Sequence, residues 1–141
     1  MMNAPQPYEE IDHTADLGII VRGASAEECI ERVVCVFGQL VAGREDIAGD
    51  ITERVVVART ELALVPVDIL RELLFRFATQ RVLPAACRVA RFADEIELEI
   101  GFARWDAAKH SAGEDIKAVT YHEASFAESR GEWVARVIFD I

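Results

Sequence analysis

The chain has 141 residues, 52% of them hydrophobic, which is the size of one domain with enough apolar surface to build a core, and excludes a disordered or collagen-like polymer. Its 15 Lys and Arg stand against 25 Asp and Glu, a net charge of −10. A polyphosphate backbone finds no electrostatic footprint there, so autonomous high-affinity nucleic-acid binding is not expected.

In chain order, Met1-Met2-Asn3-Ala4-Pro5-Gln6-Pro7 lacks the basic and apolar regions of a secretory signal, and no apolar run approaches the ~20 residues that span a bilayer. A cytoplasmic protein with no membrane partner is expected. Residues 1–7, which include Pro5 and Pro7, read as a flexible lead, and 8–141 as one domain. Strands are predicted over 8–11 and 17–22. Ser25 and Glu28 form the S-x-x-E capping box that opens a helix. Ile30, Val33, Val34, Phe37, Leu40 and Val41 repeat at threes and fours along it, so one face packs on a core. After a loop over 43–50, the β-branched run Val55-Val56-Val57 marks a strand over 51–58. A second helix begins near Pro66, where a missing N–H costs nothing, and carries the stripe Ile69, Leu70, Leu73, Leu74 and Phe77.

A hairpin over 82–93 and 95–103 follows, because Ile96, Leu98, Ile100 and Phe102 alternate with Glu95, Glu97 and Glu99, an acidic ladder that should face solvent. A polar loop over 105–114 leads to strands over 116–127 and 133–138 joined by Ser129-Arg130-Gly131-Glu132. The order predicts an α+β fold with two helices packed on one side of a mostly antiparallel β-sheet. Cys29, Cys35 and Cys87 are odd in number and lack C-x-x-C spacing, and read as buried reduced thiols rather than a disulfide framework or zinc site.

Phosphate-loop, dinucleotide, nucleophile-elbow and H-E-x-x-H motifs are all missing. What remains is more local. Asp12 and Asp16 flank a turn-like His13-Thr14-Ala15, where short oxygen side chains either bond nearby backbone amides or hold a hard cation such as Ca²⁺ or Mg²⁺. Asp140 interrupts an apolar strand one residue before Ile141. With the terminal carboxylate it makes either a solvated end or a pair of charges for a cation to neutralise. Lys117 is either an edge charge or a point charge for a carboxylate or phosphate. Trp105 and Trp133 read as core or rim aromatics. His13, His110 and His122 fall on different elements without zinc spacing, and an acid/base hydrolase using His110, His122 and an aspartate rests only on common residue types.

Ile11-Asp12-His13-Thr14-Ala15-Asp16-Leu17-Gly18, the VDILRELLF run over 67–75, IKAVTYH over 116–122 and the closing Val137-Ile138-Phe139-Asp140-Ile141 together resemble the archease family, over essentially 8–141. The resemblance implies a small α+β protein that is not itself an enzyme. It implies an activating partner of an RtcB-type RNA ligase, promoting guanylylation of the ligase and multiple turnover in tRNA splicing and RNA repair. It also implies a Ca²⁺ or other hard divalent cation held by Asp16, Asp140 and Ile141, and a ligase or nucleotide contact at Lys117. A chaperone-like modulator of another nucleic-acid-modifying enzyme is the alternative. The helix at Pro66, which usually begins earlier in the family, and the extension 1–7 depart from the pattern without touching those residues.

Overall fold

The computed structural model describes residues 1–141 except 14, 15, 44 and 45, and describes Asp12 and His13 through their backbone alone. Eight strands run Met2–Asn3 (β1), Glu9–His13 (β2), Asp16–Gly23 (β3), Ile51–Ala58 (β4), Val82–Phe92 (β5), Glu95–Arg104 (β6), Ala118–Ser129 (β7) and Glu132–Asp140 (β8). Helices occupy Ala26–Ala42 (α1), Val65–Gln80 (α2) and the single turn Ala107–His110 (α3). The α+β class is as expected, with an added feature: the strands divide between two antiparallel sheets, ordered β1-β5-β6-β4 and β2-β3-β8-β7. Local periodicity marks strands but not their partners, which is why one sheet was expected.

The division explains α1. Ser25 caps it as predicted, its Oγ accepting from Glu28 N at 3.1 Å, while Glu28 reaches back one residue further, to Ala24 N at 3.2 Å. Only one buried face was expected, yet Cys29, Ile30, Val33, Val34, Cys35, Val36 and Phe37 are all fully buried. The helix packs on β5 of one sheet and on β3 and β8 of the other, so two of its faces are covered and only a polar strip with Glu27, Glu28, Glu31 and Arg32 reaches water. Gly38 lies where α1 meets β5, and a Cβ there would stand 1.8 Å from Pro84 O. Helix α2, with its proline in the first turn, likewise touches β7 and β8 on one side and β4 and β5 on the other. The helices thus form a layer shared by both sheets.

The segment 105–114 closes the far end of α1. Gly43, at φ 67, bonds its N–H to Gln39 O, and Glu114 N donates to Leu40 O, both at 2.8 Å, so carbonyls left open by the helix end are satisfied. A Cβ on Gly113 would lie 1.9 Å from Val41 O, which is why this loop carries a glycine. The N-terminal lead, expected to be flexible, is paired: Met2 and Asn3 face Cys87 and Ala86, and Ala4 N donates to Ala85 O at 3.1 Å. Two residues carry no readable β pattern; their conformation is set by the edge of β5. The acidic ladder of β6 lies outside, as expected, but it is answered by arginines, Arg54 on Glu97 and Arg88 on Glu99. All three cysteines are free and buried.

Candidate functional site

One end of the second sheet gathers residues from opposite ends of the chain. Strand β3 begins at Asp16, β8 ends at Asp140, and the ladder sets these two directly opposite each other. Ala118, the first residue of β7, faces Asp140 from the other side. Their neighbours Leu17, Phe139 and Val119 are buried, so the period-2 alternation turns Asp16 and Asp140 to the opposite face, away from the core. Facing side chains in such a ladder have Cβ atoms ~4.5–5.5 Å apart, and like charges there repel. Asp140 is exposed, and Asp16 and Ile141 are intermediate. Two hard carboxylate donors at facing positions, open to water, have the chemistry a hard divalent cation takes, and Ile141 adds oxygen donors next to them.

Lys117 borders this end. Its backbone N donates to Asp140 O at 2.8 Å, and its side chain is exposed without an ion pair among the described residues. The expectations for Thr14 and Ala15, and for the side chains of Asp12 and His13, lie outside the described residues; the backbone of His13 pairs with Asp16. Among the described residues, no group of three or more His, Cys, Asp or Glu side chains is gathered as metal ligands. The set of Asp16, Asp140 and Ile141 contains only two such side chains.

Of the histidines whose side chains are described, His110 and His122 do not come together. His110 is 7% exposed on α3, its Nδ1 accepting from Asp106 N at 2.9 Å. It lines a cavity of about 480 Å³ with Asp46, Asp50, Arg104, Asp106 and Lys109. His122 is exposed on β7, 4.0 Å from Glu123, and does not line that cavity. Trp105 and Trp133 are half-buried, Trp133 4.8 Å from the Phe126 ring.

Sequence reasoning missed a cluster where α2 meets β7. The Arg71 guanidinium lies over the Tyr121 ring at 4.8 Å. Tyr121 Oη donates to Asp68 Oδ1 at 3.2 Å, and Thr60 donates to Asp68 Oδ2 at 2.9 Å. Phe75, 62% exposed, lies one turn from Arg71. The available signal was a second helical stripe, Arg71, Leu74, Phe75 and Ala78, beside the core stripe.

Two antiparallel sheets sharing a helical layer, with a carboxylate pair where the first long strand meets the last, define a small α+β protein whose chemistry-bearing residues sit at one sheet end. The chain belongs to the archease family: the family model described as "Archease protein family" matches residues 8–141. Among curated relatives, Protein archease of Methanosarcina mazei is 27% identical over 146 residues, covering 100% of both chains. That of Thermoplasma volcanium is 31% identical over 144 residues, covering 95% of this chain and 98% of its own. Two solved structures share the fold. The solution structure of Methanobacterium thermoautotrophicum protein 1598 superposes with a TM-score of 0.75 at 24% identity, covering 95% of this chain and 98% of that one. The crystal structure of a Thermotoga maritima archease, described as a possible chaperone, gives 0.65 at 22% identity, covering 97% and 99%. No helix among the described residues is long and apolar enough to cross a membrane.

Proposed function

We propose that this chain is a non-catalytic cofactor of an RtcB-type RNA ligase, promoting guanylylation of the ligase and its multiple turnover in tRNA splicing and RNA repair. Asp16, Asp140 and Ile141 hold a Ca²⁺ or similar hard divalent cation, and Lys117 contacts the ligase or its nucleotide. The observation that supports this most is the facing of Asp16 and Asp140 in the ladder between β3 and β8. Two like charges set opposite each other weaken a sheet unless water or a cation relieves them, and the position is open to both. Within the chain, the ladder fixes the spacing of the two carboxylates and the buried row beneath them keeps that spacing rigid. A cation, when bound, would supply a positive centre between the two carboxylates. Lys117, held by its own backbone bond to Asp140 O, sets a second positive charge beside it.

The net charge of −10 suits approach to a cationic nucleic-acid enzyme and disfavours holding RNA directly. Activation requires tighter binding to the guanylylation-competent state of the ligase than to its other states, since a partner shifts an equilibrium only by its differential affinity. Purified ligase assayed for guanylylation with and without this chain tests the reading: stimulation that disappears in Asp140→Asn supports it, and no stimulation by the wild-type chain overturns it. The description of the Thermotoga maritima relative as a possible chaperone favours a second reading, a chaperone-like modulator of another nucleic-acid-modifying enzyme. Identifying the enzyme co-purified with the chain separates the two.

A further inference from the structure

Helix α2 has two working stripes. Ile69, Leu70 and Leu73 are buried in the core, whereas Arg71, Leu74, Phe75 and Ala78, at i, i+3, i+4 and i+7, turn to the start of β7. With Lys117, Ala118 and Val119 they line a cavity of about 330 Å³. Phe75 stands at this groove with 62% of its surface in water, the most exposed of the described large hydrophobic side chains.

Six arginines of the chain are held in ion pairs and eight other described cations are not. Arg22, Arg32, Arg54, Arg76, Arg88 and Arg136 each pair with a glutamate. Arg71 and Lys117 are among the cations with no ion pair among the described residues, and what sets them apart from Arg59, Arg81, Arg91, Arg104, Lys109 and Arg130 is that the two line one groove beside an exposed aromatic. Nor is Arg71 loose: the Tyr121 ring supports it, and the bonds from Tyr121 and Thr60 to Asp68 anchor that ring. An oriented guanidinium, an ammonium and an exposed aromatic around an apolar groove complement a ligand that brings its own carboxylate beside an apolar side chain. Lys117, which lines the groove, also bonds Asp140 O through its backbone N, so the groove lies beside the carboxylate pair.

We infer that the groove between α2 and β7 docks an acidic, apolar segment of the partner protein. An apolar side chain packs against Leu74 and Phe75, and an adjacent carboxylate is received by Arg71 and Lys117. The inference rests on the ligase reading and adds the face that the ligase engages. It also accounts for a cationic groove on an acidic protein: the bulk charge draws the partners together, and the groove fixes their register.

Titration calorimetry of the full chain against a purified RtcB-type ligase tests it. Phe75→Glu and Arg71→Glu should each weaken binding by about tenfold or more, as hot-spot residues do. Arg130→Glu, the same charge change at the turn between β7 and β8, should leave affinity within about twofold, the size of a rim effect. Phe75→Leu should retain most of the affinity, and the thermal melts of all four should match wild type, since none of the residues is buried. Wild-type affinity in both Phe75→Glu and Arg71→Glu overturns the docking face while leaving the ligase reading intact. No binding by the wild-type chain overturns both. Binding of GTP or a single-stranded RNA oligonucleotide to the isolated chain, abolished by Arg71→Glu, makes the groove a nucleotide site and contradicts the inference. A wild-type dimer dissociated by Phe75→Glu contradicts it as well.

Discussion

Asp16 and Asp140 are each ordinary residues at a strand end; their register makes them a pair. Replacing either by asparagine removes one of two facing negative charges, so Asp16→Asn and Asp140→Asn should abolish cation binding while leaving the metal-free protein as stable as wild type, or more stable by ~0.2–1 kcal/mol. Calorimetric titration with Ca²⁺ beside thermal melts in chelator checks this. Parallel loss of fold and metal binding would count against the proposed site. At the cysteines, burial pushes the Cys29 and Cys35 thiols from 9.0 up to about 12, and Cys87 is raised too, with burial again the main cause. The folded state therefore keeps protons that the unfolded chain releases. The stabilising contribution is complete below pH 9 and is lost as pH rises through about 12. Denaturant midpoints should fall steadily across that alkaline window, and Ellman's reagent at pH 8 should label the native thiols far more slowly than the unfolded ones.

At the scale of elements, α1 depends on its cap and on one close approach. Ser25→Ala removes the acceptor for Glu28 N and should cost about 1 kcal/mol in urea unfolding. Gly38→Ala forces a Cβ to within 1.8 Å of a backbone oxygen, which cannot swing aside as a side chain would. It should cost at least the ~1–3 kcal/mol typical of overpacking. The cap was legible in the sequence because S-x-x-E is a local pattern, and so were Ile51–Ala58 and the hairpin of Val82–Phe92 with Glu95–Arg104, whose alternation is local too. Gly38 and the pairing of Met2–Asn3 were not, because each is defined by a strand far along the chain. The same reasoning divides the site. That Asp16 and Asp140 belong together came from the resemblance, since nothing local links them. The groove at Phe75 went unread because its stripe was masked by the stronger core stripe of the same helix.

For the molecule as a whole, two sheets share one helical layer, and the facing carboxylates sit at one sheet end. The isolated chain should neither join nor cleave RNA, and its affinity for RNA at physiological salt should be weak, because the net charge of −10 removes the counterion-release term that drives such binding. Gel-shift and nuclease assays on the purified chain check this; micromolar or tighter binding would contradict it. The most direct measurement is the rate of guanylate transfer to an RtcB-type ligase, at matched concentrations, with wild-type chain, Asp140→Asn and Lys117→Ala. The account predicts stimulation by the wild type, loss of most of it in both variants, and unchanged melting of Lys117→Ala. A ligase guanylylated at the same rate with and without the wild-type chain would contradict it.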